Sequence, residues 1–424
     1  MMESVNFSLV AQGLFGLCIF LAIGWLLSEN RKKINYFSAL TGVGVQILCA
    51  LITTRIEWVR AGFLKASEGI NVLKTATMSG TSFVFGHLGG GDLPFTLKDG
   101  SNAFVFAFQP LPMIMVISAL SMLLFHWRIL PAIVRGLSWG FRKTLGIGGA
   151  LGVCAAAKVF LGQTDAPLLI RPYLNKLSRS ELFTVMTAGM ATTSASIMIL
   201  YATILETTIS DPISHILTAS IISIPAAIVI SRLIVPQEGA TTEGDMVMPY
   251  HFSGSMEAVS QGAGDGMKLF LNIIAMLVVM LALVALVNAI LESLPFIGGQ
   301  TITLQRIFGM IMAPVTWLMG ISWQESFAAG KLLGTKTVLN EVMAFIDLTQ
   351  LPKGDLSPRS NLIMMYALCG FANFSSIGIQ IGGLGTMAPE RRSEIISLGF
   401  KALIAGTIAS CMSGTVIGLL RWGV

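Results

Sequence analysis

The chain has 424 residues, of which 54% are hydrophobic and only 12% charged, with a mean hydropathy of +0.77. A soluble domain carries about 25% charged residues, so the composition excludes a water-soluble fold and gives an integral membrane protein built of apolar spans of about 20 residues. The net charge of +5 fits cytoplasmic loops obeying the positive-inside rule rather than a nucleic-acid partner.

Ser4 to Ser28 is free of charge and is followed by Arg31, Lys32 and Lys33. A cleavable signal peptide carries its positive charge before the apolar run, so this is a first span with its N-terminus outside. Tyr36 to Thr54 returns. Arg55 to Leu73 mixes Arg55, Glu57, Arg60 and Lys65 with Trp58, Phe63 and Leu64, the pattern of a helix lying at the interface. Gly86 to Gly91 is a loop that precedes no helix in the manner of a phosphate-binding turn. Ser101 to Trp127 is the third span, and Arg128, Arg135, Arg142 and Lys143 mark its cytoplasmic end.

From Leu145 to Leu174 two apolar half-lengths flank a polar core, Lys158 to Pro167, with basic residues on both sides. Neither half can span, which predicts a re-entrant hairpin entering from the cytoplasm. Leu182 to Leu205 is a span with Thr192, Thr193, Ser194 and Ser196 at its centre, and Pro212 to Ser231 comes back. Arg232 to Lys268 reads as a flexible cytoplasmic connector. Leu269 to Leu291 crosses outward; Ile302 to Leu351 is interrupted around Lys336, Asn340 and Glu341; Ser360 to Pro389 and Ala402 to Leu420 are the last spans, with Arg391 and Arg392 inside between them and the C-terminus outside. Cys18, Cys49, Cys154, Cys369 and Cys411 lie in apolar stretches without paired spacing, so no disulfide, metal or cofactor is expected. His87, His126, His215 and His251 are scattered.

The two halves match. Leu177-Ser-Arg-Ser-Glu-Leu182 resembles Leu356-Ser-Pro-Arg-Ser-Asn-Leu362, and 14 and 17 residues beyond each Arg lie Thr193 and Ser196, or Asn373 and Ser376. Upstream by 14 and 18 residues lie the carboxylates Asp165 and Glu341. With one hairpin entering from each side, this is an inverted repeat with one midplane site. Charged groups at membrane depth are costly and kept for function, so Asp165 and Glu341 lead the list of candidates, with Gln163, Thr164, Asn340, Thr193, Ser196, Asn373 and Ser376 beside them. Many donors and acceptors near Phe160, Phe371 and Phe374 suit a neutral hydrogen-bonding solute with a flat face. The reading is therefore an all-α polytopic membrane protein with eight transmembrane helices, an interfacial helix and two oppositely oriented re-entrant hairpins. Its parts are residues 1–127 (N-terminal spans, scaffold and oligomerisation), 128–235 (first half), 236–268 (connector) and 269–424 (second half). No HExxH, GxSxG or paired aspartates support an intramembrane enzyme, and opposed hairpins disfavour a channel. An elevator transporter of another polar solute, such as a carboxylate, stays open through Lys336.

Gly162-Gln-Thr-Asp-Ala-Pro167, Gly334-Thr-Lys-Thr-Val-Leu-Asn-Glu-Val342 and Gly370-Phe-Ala-Asn-Phe-Ser-Ser-Ile-Gly378 resemble the concentrative nucleoside transporters, in the short bacterial form and over essentially the whole chain. The second run is similar to that family's G-x-K-x-x-x-N-E signature. The resemblance implies a homotrimer of the inner membrane working as an elevator. It also implies Gln163, Thr164 and Asp165 near the nucleobase, Glu341, Asn373 and Ser376 on the ribose hydroxyls, and Phe371 packed on the solute, with Lys336 and Asn340 supporting the second hairpin. Where sodium-coupled relatives carry Asn and Ser, this chain has Lys158 and Thr192, beside Thr193; the Lys158 ammonium can occupy the space of the ion, so the co-transported ion is read as a proton rather than sodium. Family members usually carry Glu at position 165, and Asp is shorter by one methylene.

Overall fold

The computed structural model describes residues 7–97, 103–248, 250, 252–293 and 301–420. The expected starts of the first and third spans, Ser4 and Ser101, and His251 of the connector lie outside them. Among the described residues there are helices and no strands. Helices α1 (Phe7–Leu26) and α2 (Tyr36–Arg55) are joined by a 3-10 turn over Arg31–Lys33, and the Asn35 side chain caps α2 by accepting from the Ser38 N–H. The expected interfacial helix is longer than its sequence bounds: α3 runs Glu57–Phe85 and ends only where Gly86 turns left-handed at φ 59°. That conformation costs glycine little.

The third span is shorter than expected. Pro110 and Pro112 lack N–H groups and restrict the residues before them, so α4 begins at Met113 and ends at His126, too short to cross a core of about 30 Å alone. The chain then bends by 77° through Arg128 into α5 (Ile129–Leu145), which the sequence reading missed. Leu130, Val134, Ser138, Phe141 and Leu145 are buried along one side of α5, while Arg135, Trp139, Arg142 and Lys143 lie on the other; this three-to-four spacing makes α5 an amphipathic, interface-type helix.

The first hairpin is α6 (Gly149–Ala157), buried throughout, a non-helical tip, and the short α7 (Asp165–Leu168). Next come α8 (Arg179–Ala191) and α9 (Ala195–Leu205), separated at Thr192–Ser194 as the small polar run suggested, and α10 (Pro212–Ile234). A capping box of Ser178 and Glu181 starts α8, satisfying amides that a helix start leaves free.

The connector differs most from expectation. Residues 255–268, expected to be loop, are the first turns of the 37-residue α11 (Ser255–Leu291), held by close packing: a Cβ on Gly262 or Gly266 would come within 2.6 Å of Ala119 or Met115 Cα in α4. That is small-residue packing between helices. The described residues between 235 and 254 have no helix, yet they are docked: the Ala150 N–H donates to Thr242 O at 3.3 Å, the Val247 N–H to Leu169 O at 2.8 Å, and the Thr242 N–H and hydroxyl to Glu181. The segment straps the first hairpin.

The second half is α12 (Leu304–Leu318), α13 (Trp323–Val338), α14 (Glu341–Gln350), α15 (Pro358–Leu368), α16 (Phe374–Met387) and α17 (Arg392–Leu420). Here α12 is a separate helix, and the hairpin is α13 and α14 alone. The order of elements from α4 to α10 recurs from α11 to α17, and so does the packing. Helix α5 lies on α6 as α12 lies on α13, and α8 packs on α10 as α15 packs on α17. α10 and α17 meet at the centre, with α1 and α2 against both. Among the described residues six helical stretches, with α8 and α9 counted as one, are long and apolar enough to cross a membrane, or seven if α4 and α5 count as one span, against the eight expected, because the break between α15 and α16 splits one span into two short helices.

Candidate functional site at the helix breaks

Each hairpin closes on a break in a neighbouring helix. In the second half the Asn340 side chain accepts from the Met343 N–H at 3.0 Å and caps α14, which sets Glu341 at the first position, at the positive end of that helix. Glu341 is buried. Its Oε1 accepts from the Tyr201 hydroxyl at 2.6 Å and its Oε2 from Asn373 Nδ2 at 3.0 Å. Tyr201 stands on α9 and Asn373 is the N-cap of α16, so one carboxylate ties a hairpin to both broken helices. The Tyr201 ring also packs on Phe345 of α14, centroids 4.9 Å apart. Asn373 Oδ1 accepts from the Ser376 N–H at 2.9 Å and the Ser375 hydroxyl at 2.7 Å, which fixes its amide with Nδ2 towards Glu341. Phe371 and Ser376 are buried beside it. A carboxylate has about four lone-pair positions, so two donors leave room for more.

Lys336 is fully buried, and its Nζ donates to Ala367 O at 2.8 Å. That carbonyl belongs to the last turn of α15, where backbone acceptors are otherwise orphaned and a cation meets the negative end of the helix. Lys336 is thus a brace between hairpin and helix.

In the first half Lys158 is also fully buried, and its Nζ donates to Gly162 O at 3.3 Å within its own hairpin. A Cβ on Gly189 of α8 would come within 2.6 Å of Gln380 Nε2 and 3.1 Å of Lys158 Nζ, with Gln163 Cβ at 3.3 Å; hairpin, α8 and α16 converge there. Gln380 donates from Nε2 to Met186 O at 2.8 Å, while its Oε1 and that of Gln163 are buried without a hydrogen-bond partner among the described residues. Asp165 opens α7 and is accessible; it accepts from the Thr164 hydroxyl at 3.4 Å. The Thr164 methyl packs on Gly383 of α16, where a Cβ would come within 2.4 Å. At the tip, Phe160 O accepts from the Ala195 N–H at 2.9 Å. Thr192 donates back to Ala188 O at 2.8 Å, and Thr193 is buried in the break. The breaks themselves meet at Gly370, where a Cβ would lie 2.8 Å from Ala191 O; only glycine fits.

The candidates therefore fall into two clusters. Glu341, Asn340, Asn373, Ser376 and Phe371 form one around the second hairpin; Lys158, Gln163, Thr164 and Asp165 form the other against α8 and α16. Lys336 and Thr192 turn to backbone carbonyls instead. Sequence reasoning missed Tyr201 and Gln380. Each is a large polar side chain in a mostly apolar helix, a weaker signal than the intramembrane charge that picked out Glu341.

Three family models match the chain: "Na+ dependent nucleoside transporter N-terminus" over residues 15–88, "Nucleoside recognition" over 107–208, and "Na+ dependent nucleoside transporter C-terminus" over 215–418. The nucleoside permease NupC of Helicobacter pylori is 32% identical over 411 residues, covering 95% of this chain and 96% of that protein. The chain belongs to the concentrative nucleoside transporter family. It is also similar to the uncharacterized transporter YutK of Bacillus subtilis, 36% identical over 97% of this chain and 99% of that one, and to mouse sodium/nucleoside cotransporter 1, 33% identical over 96% of this chain and 63% of the longer mouse protein. Among solved structures it is similar to CNTnw in an inward-facing substrate-bound state, with a TM-score of 0.87 at 31% identity over 98% and 99% of the two chains. A substituted CNTnw in an outward-facing state matches with a TM-score of 0.88 at 30% identity over 99% and 100%. The concentrative nucleoside transporters are transporters rather than enzymes, and this member is an integral membrane protein.

Proposed function

We propose that this concentrative-family protein is a secondary active symporter that imports nucleosides across a bacterial inner membrane by an elevator movement of the hairpins and broken helices. The observation that carries the reading is the Glu341 carboxylate, buried and tied to Tyr201 and Asn373 at the junction of one hairpin and two broken helices. Its remaining lone pairs suit the two vicinal hydroxyls of a ribose, and a buried acceptor left unpaired penalises solutes that lack them. Ser376 and Asn373 flank the ribose, Phe371 packs on the solute, and Gln163, Thr164 and Asp165 meet the base, for which the unpartnered Gln163 Oε1 is a ready acceptor. Eight spans, two re-entrant hairpins, both termini outside and a homotrimer complete the arrangement. The close α4–α11 pair serves as the fixed scaffold, and the exposed apolar residues of α11, Leu271, Val279 and Leu283 among them, face neighbouring subunits or lipid.

Coupling is to protons in this reading, because the Lys158 ammonium donates to Gly162 O as a bound cation would. Sodium coupling is the second reading, favoured by the descriptions of the family models and the mouse relative. The test is radiolabelled uridine uptake into proteoliposomes under separately imposed pH and sodium gradients, with wild type and Lys158→Asn. Wild-type uptake should follow the pH gradient and the variant should lose that dependence. Uptake that follows sodium alone contradicts proton coupling; no uridine or adenosine uptake under either gradient contradicts nucleoside transport.

A further inference from the structure

A cavity of about 450 Å³ lies away from the helix breaks, between α2, the end of α5 and α10. Among the described residues its lining includes Lys33, Lys143 and Arg232 and no carboxylate. Two of these cations are partly compensated from outside the lining, since Lys33 pairs with Glu238 at 3.0 Å and Arg232 feels the charge of Glu181. Lys143 lies over the Trp139 ring, 5.2 Å from its centroid. Arg232 donates to Leu145 O at 3.0 Å, Gly146 O at 3.2 Å and Ser38 Oγ at 3.4 Å, yet its buried Nε has no hydrogen-bond partner. A volume in the range of small-molecule sites lined by three cationic side chains suits an oxyanion, and guanidinium and ammonium groups together suit phosphate.

The remainder of the lining is apolar: Phe37 on α2 and Ile228, Val229 and Leu233 on α10. Phe37 is 78% exposed; also exposed are Tyr36 and Leu40 beside it on α2 and, on α5, Trp139 one turn before Lys143. A ring of exposed aromatic and aliphatic side chains next to lysines is the composition of a membrane–water boundary, and the basic loops put this boundary on the cytoplasmic side. A soluble phosphate would use the cations and leave the apolar wall idle; a lipid would use both.

We propose that this cavity binds the phosphate headgroup of an anionic phospholipid from the inner leaflet, with Lys143, Lys33 and Arg232 on the phosphate and Phe37 beside the acyl chains. Basic pockets between helices on the cytoplasmic side are suited to such headgroups. The position matters because Arg232 holds the carbonyls of Leu145 and Gly146, where α5 turns through Gly146 at φ 59° into the first hairpin. A lipid seated there braces the foot of the hairpin. The inference needs only a membrane protein in this fold and does not depend on the transported solute.

The test uses the full-length protein, purified and delipidated in detergent, with binding read by thermal shift and by native mass spectrometry. The probes are phosphatidylglycerol, phosphatidylcholine and inorganic phosphate. Phosphatidylglycerol should raise the melting temperature and be retained as a discrete adduct, whereas the other two should do neither. Its apparent affinity should weaken about fivefold in Lys143→Gln and about tenfold or more in Lys33→Gln/Lys143→Gln, while Lys268→Gln, an exposed lysine paired with Asp265, should leave it unchanged. Arg232 is not substituted, because it also holds the backbone. Equal shifts with phosphatidylcholine would mean a non-specific lipid effect, equal shifts with inorganic phosphate a free-anion site, and an unweakened double variant a different location; each overturns the proposal.

Discussion

The second hairpin surrounds its charged groups with donors and acceptors: Glu341 receives two side-chain hydrogen bonds and Lys336 meets a helix-end carbonyl. The first hairpin leaves more undone. Asp165 is accessible, Lys158 has a single long bond to its own tip, and the carbonyl oxygens of Gln163 and Gln380 are buried without partners. A buried charge is tolerable when fully paired and costly when one partner is lost, so the charged groups of the second hairpin are held in place and those of the first are freer to take new partners. Equivalent positions in a repeated architecture have thus been put to unequal use.

This asymmetry can be broken most sharply at Glu341. Glu341→Gln turns an amide donor towards Asn373 Nδ2 or Tyr201 and removes the charge from two hydrogen bonds, each worth about 1.5–3 kcal/mol when charge-assisted. Uridine uptake should fall by about 100-fold or more, with the variant still eluting as a folded particle in size-exclusion chromatography. Next in size, Tyr201→Phe removes one donor and keeps the ring on Phe345; the apparent affinity for uridine, measured by calorimetry, should weaken about tenfold. By contrast, Lys158→Asn should change uridine affinity by less than about tenfold while flattening its pH dependence. Should Lys158→Asn cost as much affinity as Glu341→Gln, the two hairpins would have to be regarded as equal partners in recognition.

The smallest expected effect lies outside the membrane-spanning segments, where Glu29 between α1 and α2 bonds Arg179 at 2.9 Å and Lys401 at 2.6 Å. The Arg179 hydrogen bond, with help from Lys401 and against partial burial, lowers its pKa from 4.5 to about 2. A depressed carboxylate contributes stability above its unfolded value and loses it as the pH falls towards the folded one. Glu29→Gln should therefore lower stability near neutral pH by no more than about 1 kcal/mol, given its partial exposure, and the difference from wild type in thermal melts should vanish between pH 4.5 and 2.

Much of this was legible in the sequence. Intramembrane charge located Asp165, Lys158, Lys336 and Glu341, and the repeated Leu-Ser-Arg pattern located the two breaks, because the bilayer penalises exactly the residues that stand out there. The bounds of α3, α4 and α11 were less legible, since they depend on where Pro112 starts a helix, where Gly86 ends one, and how closely Gly262 and Gly266 let α11 approach α4. The amphipathic α5 is hidden in the sequence because its Arg135, Arg142 and Lys143 fit a cytoplasmic loop as well as they fit the polar face of a helix. Tyr201 escaped for a different reason: its partner Glu341 lies 140 residues away, and only the folded chain pairs them.

The central claim, that Glu341 with Tyr201 and Asn373 holds the sugar of a nucleoside, is tested most directly by measuring the affinities of uridine and its 2′,3′-dideoxy analogue for wild type and Glu341→Gln. Wild type should prefer uridine by about 100-fold and the variant should bind both with similar, weak affinity. Undiminished preference for uridine in the variant would contradict the account.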